Sequence, residues 1–129
     1  MGVLISDEFK DDRALEDCAT IPRKHLEVGS HPGRHILKVQ LAIERLRPNG
    51  PMIDPAEKRD MRYGSTTAKA VLNYKATHVP PIINKTYQST PDEIVGQGTI
   101  KAMDADLAGT PLPTREAVAD RAHDESRTF

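Results

Sequence analysis

Five histidines, His25, His31, His35, His78 and His123, and four carboxylates, Asp54, Glu57, Asp92 and Glu93, are the side chains whose types and spacing could do chemistry. A zinc site on a helix needs imidazoles held on one regular turn with a further ligand. His31 and His35 are four apart, but Pro32 and Gly33 interrupt the turn between them, and no His-Glu-x-x-His phrase exists. No metal site is expected. Glycan cleavage needs two carboxylates facing each other in a cleft. Asp54, Glu57, Asp92 and Glu93 each fall at a helix start or a turn, where acidic side chains cap backbone N–H groups, and they are expected to do that here. Cys18 is the sole cysteine, which excludes an internal disulfide and a thiolate metal cluster. Glu16 and Asp17 beside it would raise a thiol pKa, so a half-buried structural thiol is expected. These patterns predict a protein that is not an enzyme and carries no cofactor.

The elements that must hold such residues announce themselves through a repeat. Tyr63-Gly64-Ser65-Thr66-Thr67-Ala68-Lys69-Ala70-Val71 and Val95-Gly96-Gln97-Gly98-Thr99-Ile100-Lys101-Ala102-Met103 align without a gap, sharing Gly, Thr, Lys and Ala at a constant offset of 32. A repeat of this kind implies a repeated structural unit. In each copy a bulky residue and a glycine precede a small polar cluster, then alanine and aliphatic residues follow at helical spacing, which reads as a tight turn feeding a helix. The glycines are expected to supply a positive φ or a close approach, and Thr67 and Thr99 to bond local backbone.

Composition narrows the class. The chain has 129 residues, 37% of them hydrophobic, with no Trp, two Phe and three Tyr, so one small and mostly aliphatic core is expected. Eighteen basic against nineteen acidic residues give a net charge of −1, which lacks the positive field that nucleic-acid binding relies on. No apolar run approaches the ~20 residues that cross a bilayer, and Met1 to Ser6, followed by Asp7 and Glu8, does not read as a secretory signal. Neither nucleic acid nor membrane is an expected partner.

Punctuation divides the chain into a charged N-terminal arm (1–24), a central domain (25–109) and a C-terminal tail (110–129). The arm carries only a brief apolar pattern at Leu15 and Cys18, so a loosely held segment or one short helix is expected. Ile36, Val39, Ile43 and Leu46 recur at spacings of three and four and predict a helix over Arg34 to Arg47. Pro55 opens one or two helical turns towards Met61. The first repeat helix stops near His78, before Pro80-Pro81. Ile82 to Thr90 has no helical period and reads as a long, ordered loop or a small extended element, after which the second repeat helix runs from about Gln97 to Leu107. Thr114 and Glu116 mark a helix start within the alanine-rich tail. The expected architecture is all-α, a compact three-helix bundle with long loops and less ordered tails. Gln40, lying among apolar positions, is expected to tie its helix to a loop backbone.

Leu26, Gly29, Ser30, Gly33, Ile36, Val39, Gln40 and Ile43, then Tyr63-Gly64, Thr67, Ala70, Val71 and Tyr74, then Asp92, Val95-Gly96, Thr99 and Met103, resemble in order the peptidoglycan-binding-like domain, a three-helix module of bacterial and phage cell-wall proteins. The resemblance spans about Leu26 to Leu107. Tyr74-Lys75 stands where that family usually has Phe-Gln, and the loops at Pro48 to Met61 and Pro80 to Pro91 are longer than usual.

The resemblance implies non-catalytic binding of bacterial cell-wall peptidoglycan or a related glycan, at the cell envelope or after specialised export. A sugar ring needs an aromatic face together with amides, hydroxyls and charges. Arg62, Tyr63, Asn84, Lys85, Tyr87 and Gln88 supply those types from turns and loops and form the expected ligand-binding set. Tyr63 also precedes a helix start whose N–H groups would favour a ligand carboxylate, although its bulk suits a core position equally. The alternative is a protein-interaction adaptor that uses the same bundle to tether an enzyme, an exported toxin or an injection apparatus through its tails.

Overall fold

The computed structural model describes residues 2–83 and 90–109, and the expected helix in the C-terminal tail lies outside them. Five α-helices form among the described residues: α1 (Arg13–Thr20), α2 (Arg34–Leu46), α3 (Pro55–Arg59), α4 (Ser65–Thr77) and α5 (Gln97–Ala108). The chain is all-α there, with one isolated antiparallel bridge between Leu26 and Val95.

Local chemistry sets the helix boundaries. Asp12 starts α1 by accepting a hydrogen bond from the Leu15 N–H at 3.1 Å. Asp54 starts α3 by accepting one from the Ala56 N–H at 2.8 Å, with Pro55 in the first turn, where its missing N–H costs nothing. The turn before α2 passes through Gly29 at φ 92°, a left-handed conformation that favours glycine. α4 closes at His78, ahead of Pro80 and Pro81.

Apolar stripes then meet. Ile36, Val39 and Ile43 of α2, Val71 and Tyr74 of α4, Val95, and Ile100 and Met103 of α5 all lie buried in one cluster, as their spacing requires. α2 packs on α4 and on α5, and α1 packs on α5.

The N-terminal arm departs from expectation. It does form one short helix, but Leu4, Phe9, Leu15, Cys18 and Ala19 are buried in the same cluster as the central domain. Polar ties hold it there. The carboxylate of Asp104, itself buried on α5, accepts hydrogen bonds from the Ile5 N–H at 2.9 Å and the Ser6 N–H at 2.8 Å. Glu16 accepts from the N–H groups of Val3 and Leu4, and Arg45 of α2 pairs with Glu8. Leu4 and Phe9 belong to no helical period, so their burial is set by these long-range contacts.

Two substitutions test this packing by urea denaturation. Val71→Ala should cost about 1 to 3 kcal/mol through lost burial and a residual cavity, whereas Lys69→Ala on the exposed side of α4 should cost less than about 0.5 kcal/mol. Asp104→Ala should cost about 2 to 3 kcal/mol, because it strips a charged acceptor from backbone donors near Ser6.

Candidate functional site

The two repeat copies start their helices with nearly the same backbone. Gly64 has φ −107° and ψ −167°, and Gly96 has φ −102° and ψ −166°. Both are extended, so the positive φ expected of these glycines is absent. The preceding bulky residues, Tyr63 and Val95, are buried, as are Thr67 and Thr99, while Lys69 and Lys101 face solvent.

At the first copy the start of α4 is filled by a side chain from α3. Glu57, 4% exposed, accepts hydrogen bonds from the N–H groups of Gly64 (3.1 Å), Thr66 (3.1 Å) and Thr67 (3.0 Å), and from the hydroxyls of Thr66 (2.6 Å) and Thr67 (2.8 Å). The helix dipole adds to this attraction. Burial alone would raise the pKa of Glu57, but the donors of Thr66 and Thr67 outweigh it and bring the carboxyl down from 4.5 to about 2. Gly64 is required by close approach: a Cβ there would sit 2.5 Å from the Glu57 carboxyl carbon. Beside Gly96 a Cβ would meet nothing within 4 Å, so neither expected reason for glycine applies there. Gln40 completes the first arrangement, its Nε2 donating to the Thr67 hydroxyl at 2.9 Å and to the Arg62 carbonyl at 3.0 Å, which is the helix-to-loop tie expected of it.

Of the expected ligand-binding residues, Arg62 is exposed immediately before the α4 turn. Tyr63 is not available for stacking. It is 1% exposed, its ring lies in the core, and its hydroxyl donates to the Glu93 carbonyl at 2.5 Å. Burial, and then the carboxylates of Glu93 and Asp92, push its phenol pKa up. The helix start beside it is likewise no free anion site, since Glu57 already takes its donors. Asn84, Lys85, Tyr87 and Gln88 lie outside the described residues.

The remaining candidate groups are engaged structurally. Asp54 and Glu57 cap helices, and Asp92 accepts the Ile94 N–H at 3.1 Å. Asp92 also meets the buried ammonium of Lys75 at 2.5 Å, and that ammonium donates to the Ile94 carbonyl at 2.8 Å. Sequence reasoning missed this pair and the role of Asp104. The signal was present: Lys75 stands four after Val71 and Asp104 four after Ile100, each on its helix's apolar stripe. Cys18 is fully buried, and burial pushes its thiol up to about 12.

A groove of about 550 Å³ opens at the C-terminal ends of α2, α4 and α5, lined by Arg45, Arg47, Thr77, His78 and Asp106 among others. Arg47 stacks over the Tyr74 ring at 4.9 Å, and the Tyr74 hydroxyl donates to Asp106 at 2.6 Å. These contacts lock the groove wall together. Among the described residues no group of three or more His, Cys, Asp or Glu is arranged to hold a metal ion, and no helix is long and apolar enough to cross a membrane. No protein-family model, curated protein or solved structure matches this chain.

The cap at α4 makes acid stability measurable. Because the folded-state pKa of Glu57 is depressed, its stabilisation is complete above about pH 5 and is lost as pH falls from 4.5 towards 2. At about 1.4 kcal/mol per tenfold change in proton affinity this is roughly 3 kcal/mol. Glu57→Gln should lower stability at pH 7 by a similar order and flatten the stability profile between pH 5 and 2. A profile unchanged by the substitution would refute the assignment. The glycines should also differ, with Gly64→Ala lowering the melting temperature and Gly96→Ala leaving it nearly unchanged.

Proposed function

We propose that this protein binds bacterial cell-wall peptidoglycan, or a related glycan, without cleaving it, and that α2, α4 and α5 act as the three-helix module that the sequence resembles. The supporting observation is that the three resembling phrases, far apart in sequence, meet one another, two of the joins through residues of the phrases and one through Lys75, where the sequence departs from the family. Leu26 and Val95 exchange backbone hydrogen bonds of 2.9 and 2.8 Å, joining the first phrase to the third. Gln40 bonds Thr67, joining the first to the second, and Lys75 bonds Asp92, joining the second to the third. Non-catalytic binding fits the carboxylates as well, since Asp54, Glu57 and Asp92 are committed to caps and an ion pair.

The binding surface in this reading is Arg62 with the loop residues Asn84, Lys85, Tyr87 and Gln88, while Tyr63 supports the surface from the core. The adaptor alternative loses one of its two tethers, because residues 4–19 supply core side chains and their removal would unfold the domain.

Co-sedimentation with purified sacculi tests the proposal. Wild type should pellet with sacculi, and Arg62→Ala and Tyr87→Ala should each weaken binding by about 1 to 2 kcal/mol with melting temperature little changed. Labelled peptidoglycan should stay insoluble with or without added zinc. Absence of wild-type binding would remove the glycan function, and release of soluble fragments at catalytic protein levels would overturn the non-enzymatic reading.

A further inference from the structure

The groove at the far end of the bundle is separate from the proposed wall-binding surface. Arg62 stands before the first residue of α4 and the groove opens beyond its last, so a helix of 13 residues, about 20 Å long, lies between them. Its volume of about 550 Å³ falls among small-molecule sites, which run from roughly 300 to 1,000 Å³.

Two opposite charges line this groove, and both are fixed by one tyrosine. The half-buried Arg47 guanidinium lies 4.9 Å over the Tyr74 ring, while its Nε donates to the Thr77 hydroxyl at 2.8 Å and its Nη1 to the Leu46 carbonyl at 2.9 Å. Those contacts leave Nη2 and the second N–H of Nη1, the two donors that meet a carboxylate side by side. Asp106 accepts the Tyr74 hydroxyl through Oδ2 at 2.6 Å, and its Oδ1 takes no hydrogen bond among the described residues. His78 stands edge-on to the same ring at 5.6 Å. Its Nδ1 donates to the Pro80 carbonyl at 2.9 Å, and its Nε2 lies 3.5 Å from Asp106. Arg47 forms no ion pair with Asp106 or with any other carboxylate of the described residues. Opposite charges in one groove would close on each other if their side chains were free to move. Here the guanidinium is held over the face of Tyr74 and the carboxylate at its hydroxyl, so each stays available to a third party.

We propose that this groove binds the zwitterionic group of an α-amino acid, with Arg47 taking its carboxylate and Asp106 its ammonium. The helix ends support the second contact, because α2, α4 and α5 all finish here and carbonyl ends favour a cation. The exposed side chains of Val79 and Ala105 on the groove wall provide an apolar path for the carbon chain of the ligand. Holding both charges in place before binding removes an ordering cost that a flexible pair would carry. The same group occurs on free amino acids and at the unlinked end of diaminopimelate in a wall peptide.

Amide chemical shifts of the full-length protein at neutral pH test the site. The zwitterionic probes are alanine and the tripeptide L-alanyl-γ-D-glutamyl-meso-diaminopimelate. The controls are alaninamide, which lacks the carboxylate, N-acetylalanine, which lacks the ammonium, and the lysine-ended tripeptide, which lacks the carboxylate beside its side-chain ammonium. Saturable shifts are expected at Thr77, His78, Asp106 and Gly109 with at least one zwitterionic probe, and its matching controls should bind about tenfold more weakly or worse, since each loses a charge-assisted contact. A stronger response to the tripeptide assigns the group to a wall peptide, and a stronger response to alanine assigns it to free amino acids. Asp106→Asn keeps an acceptor for the Tyr74 hydroxyl and removes the charge, so the protein should stay folded and lose the response. Ala105→Phe should block the groove without touching either charge. No saturable shift with either zwitterionic probe, equal binding of a matching control, or a response intact in folded Asp106→Asn or Ala105→Phe protein would overturn the assignment. Sacculus co-sedimentation by wild type is read separately, so the groove and the wall-binding function can fail independently.

Discussion

A buried carboxylate holds the centre of this fold together. Glu57 on the five-residue α3 is too local an element to be stable alone, and its charge is out of water. Both facts are tolerable only because five donors from the α4 start converge on it, and because Thr67, one of those donors, is in turn fixed by Gln40 of α2. Three helices thus share one polar node. Removing any member leaves the others buried and unsatisfied, which is why such networks cost more to break than a sum of single bonds suggests.

Two other buried charges repeat the principle at the edges of the core. Lys75 pins the segment before α5 through Asp92 and the Ile94 carbonyl, and Asp104 pins the N-terminal segment through the Ile5 and Ser6 N–H groups. In each case a helix presents a charged group from within its apolar stripe to backbone that has no regular secondary structure of its own. Irregular backbone has donors and acceptors that helices do not satisfy. A charge on the stripe answers that need and at the same time specifies which loop must lie there.

The repeat shows one turn backbone in two settings. At α4 it is closed by an internal carboxylate and contributes stability, while at α5 no side chain of the described residues accepts from the corresponding N–H groups. The glycines record the difference: Gly64 is needed because the Glu57 carboxylate approaches closely, and Gly96 has open space at the same position. Sequence similarity between the copies predicts a shared backbone and says nothing of what each start binds.

Helix positions were legible in the sequence because their causes are local. The stripe of Ile36, Val39 and Ile43, the stops at Pro80-Pro81 and the Gly-x-x-Thr starts of α4 and α5 each depend on residues within a few positions, and so do the caps by Asp12 and Asp54. Gln40 was readable too, since a lone amide on an apolar face has few choices other than a loop backbone. The burial of Leu4, Phe9 and Tyr63 and the partners of Glu57, Lys75 and Asp104 were decided only in three dimensions. Tyr63 shows the reason: an aromatic residue beside a glycine turn suits a binding surface and a core equally by type, and the neighbours that bury its ring and the Glu93 carbonyl 2.5 Å from its hydroxyl are brought there by chain 30 residues away. Periodicity fixes which face of a helix is apolar; which distant backbone meets a charge on that face depends on how the helices pack.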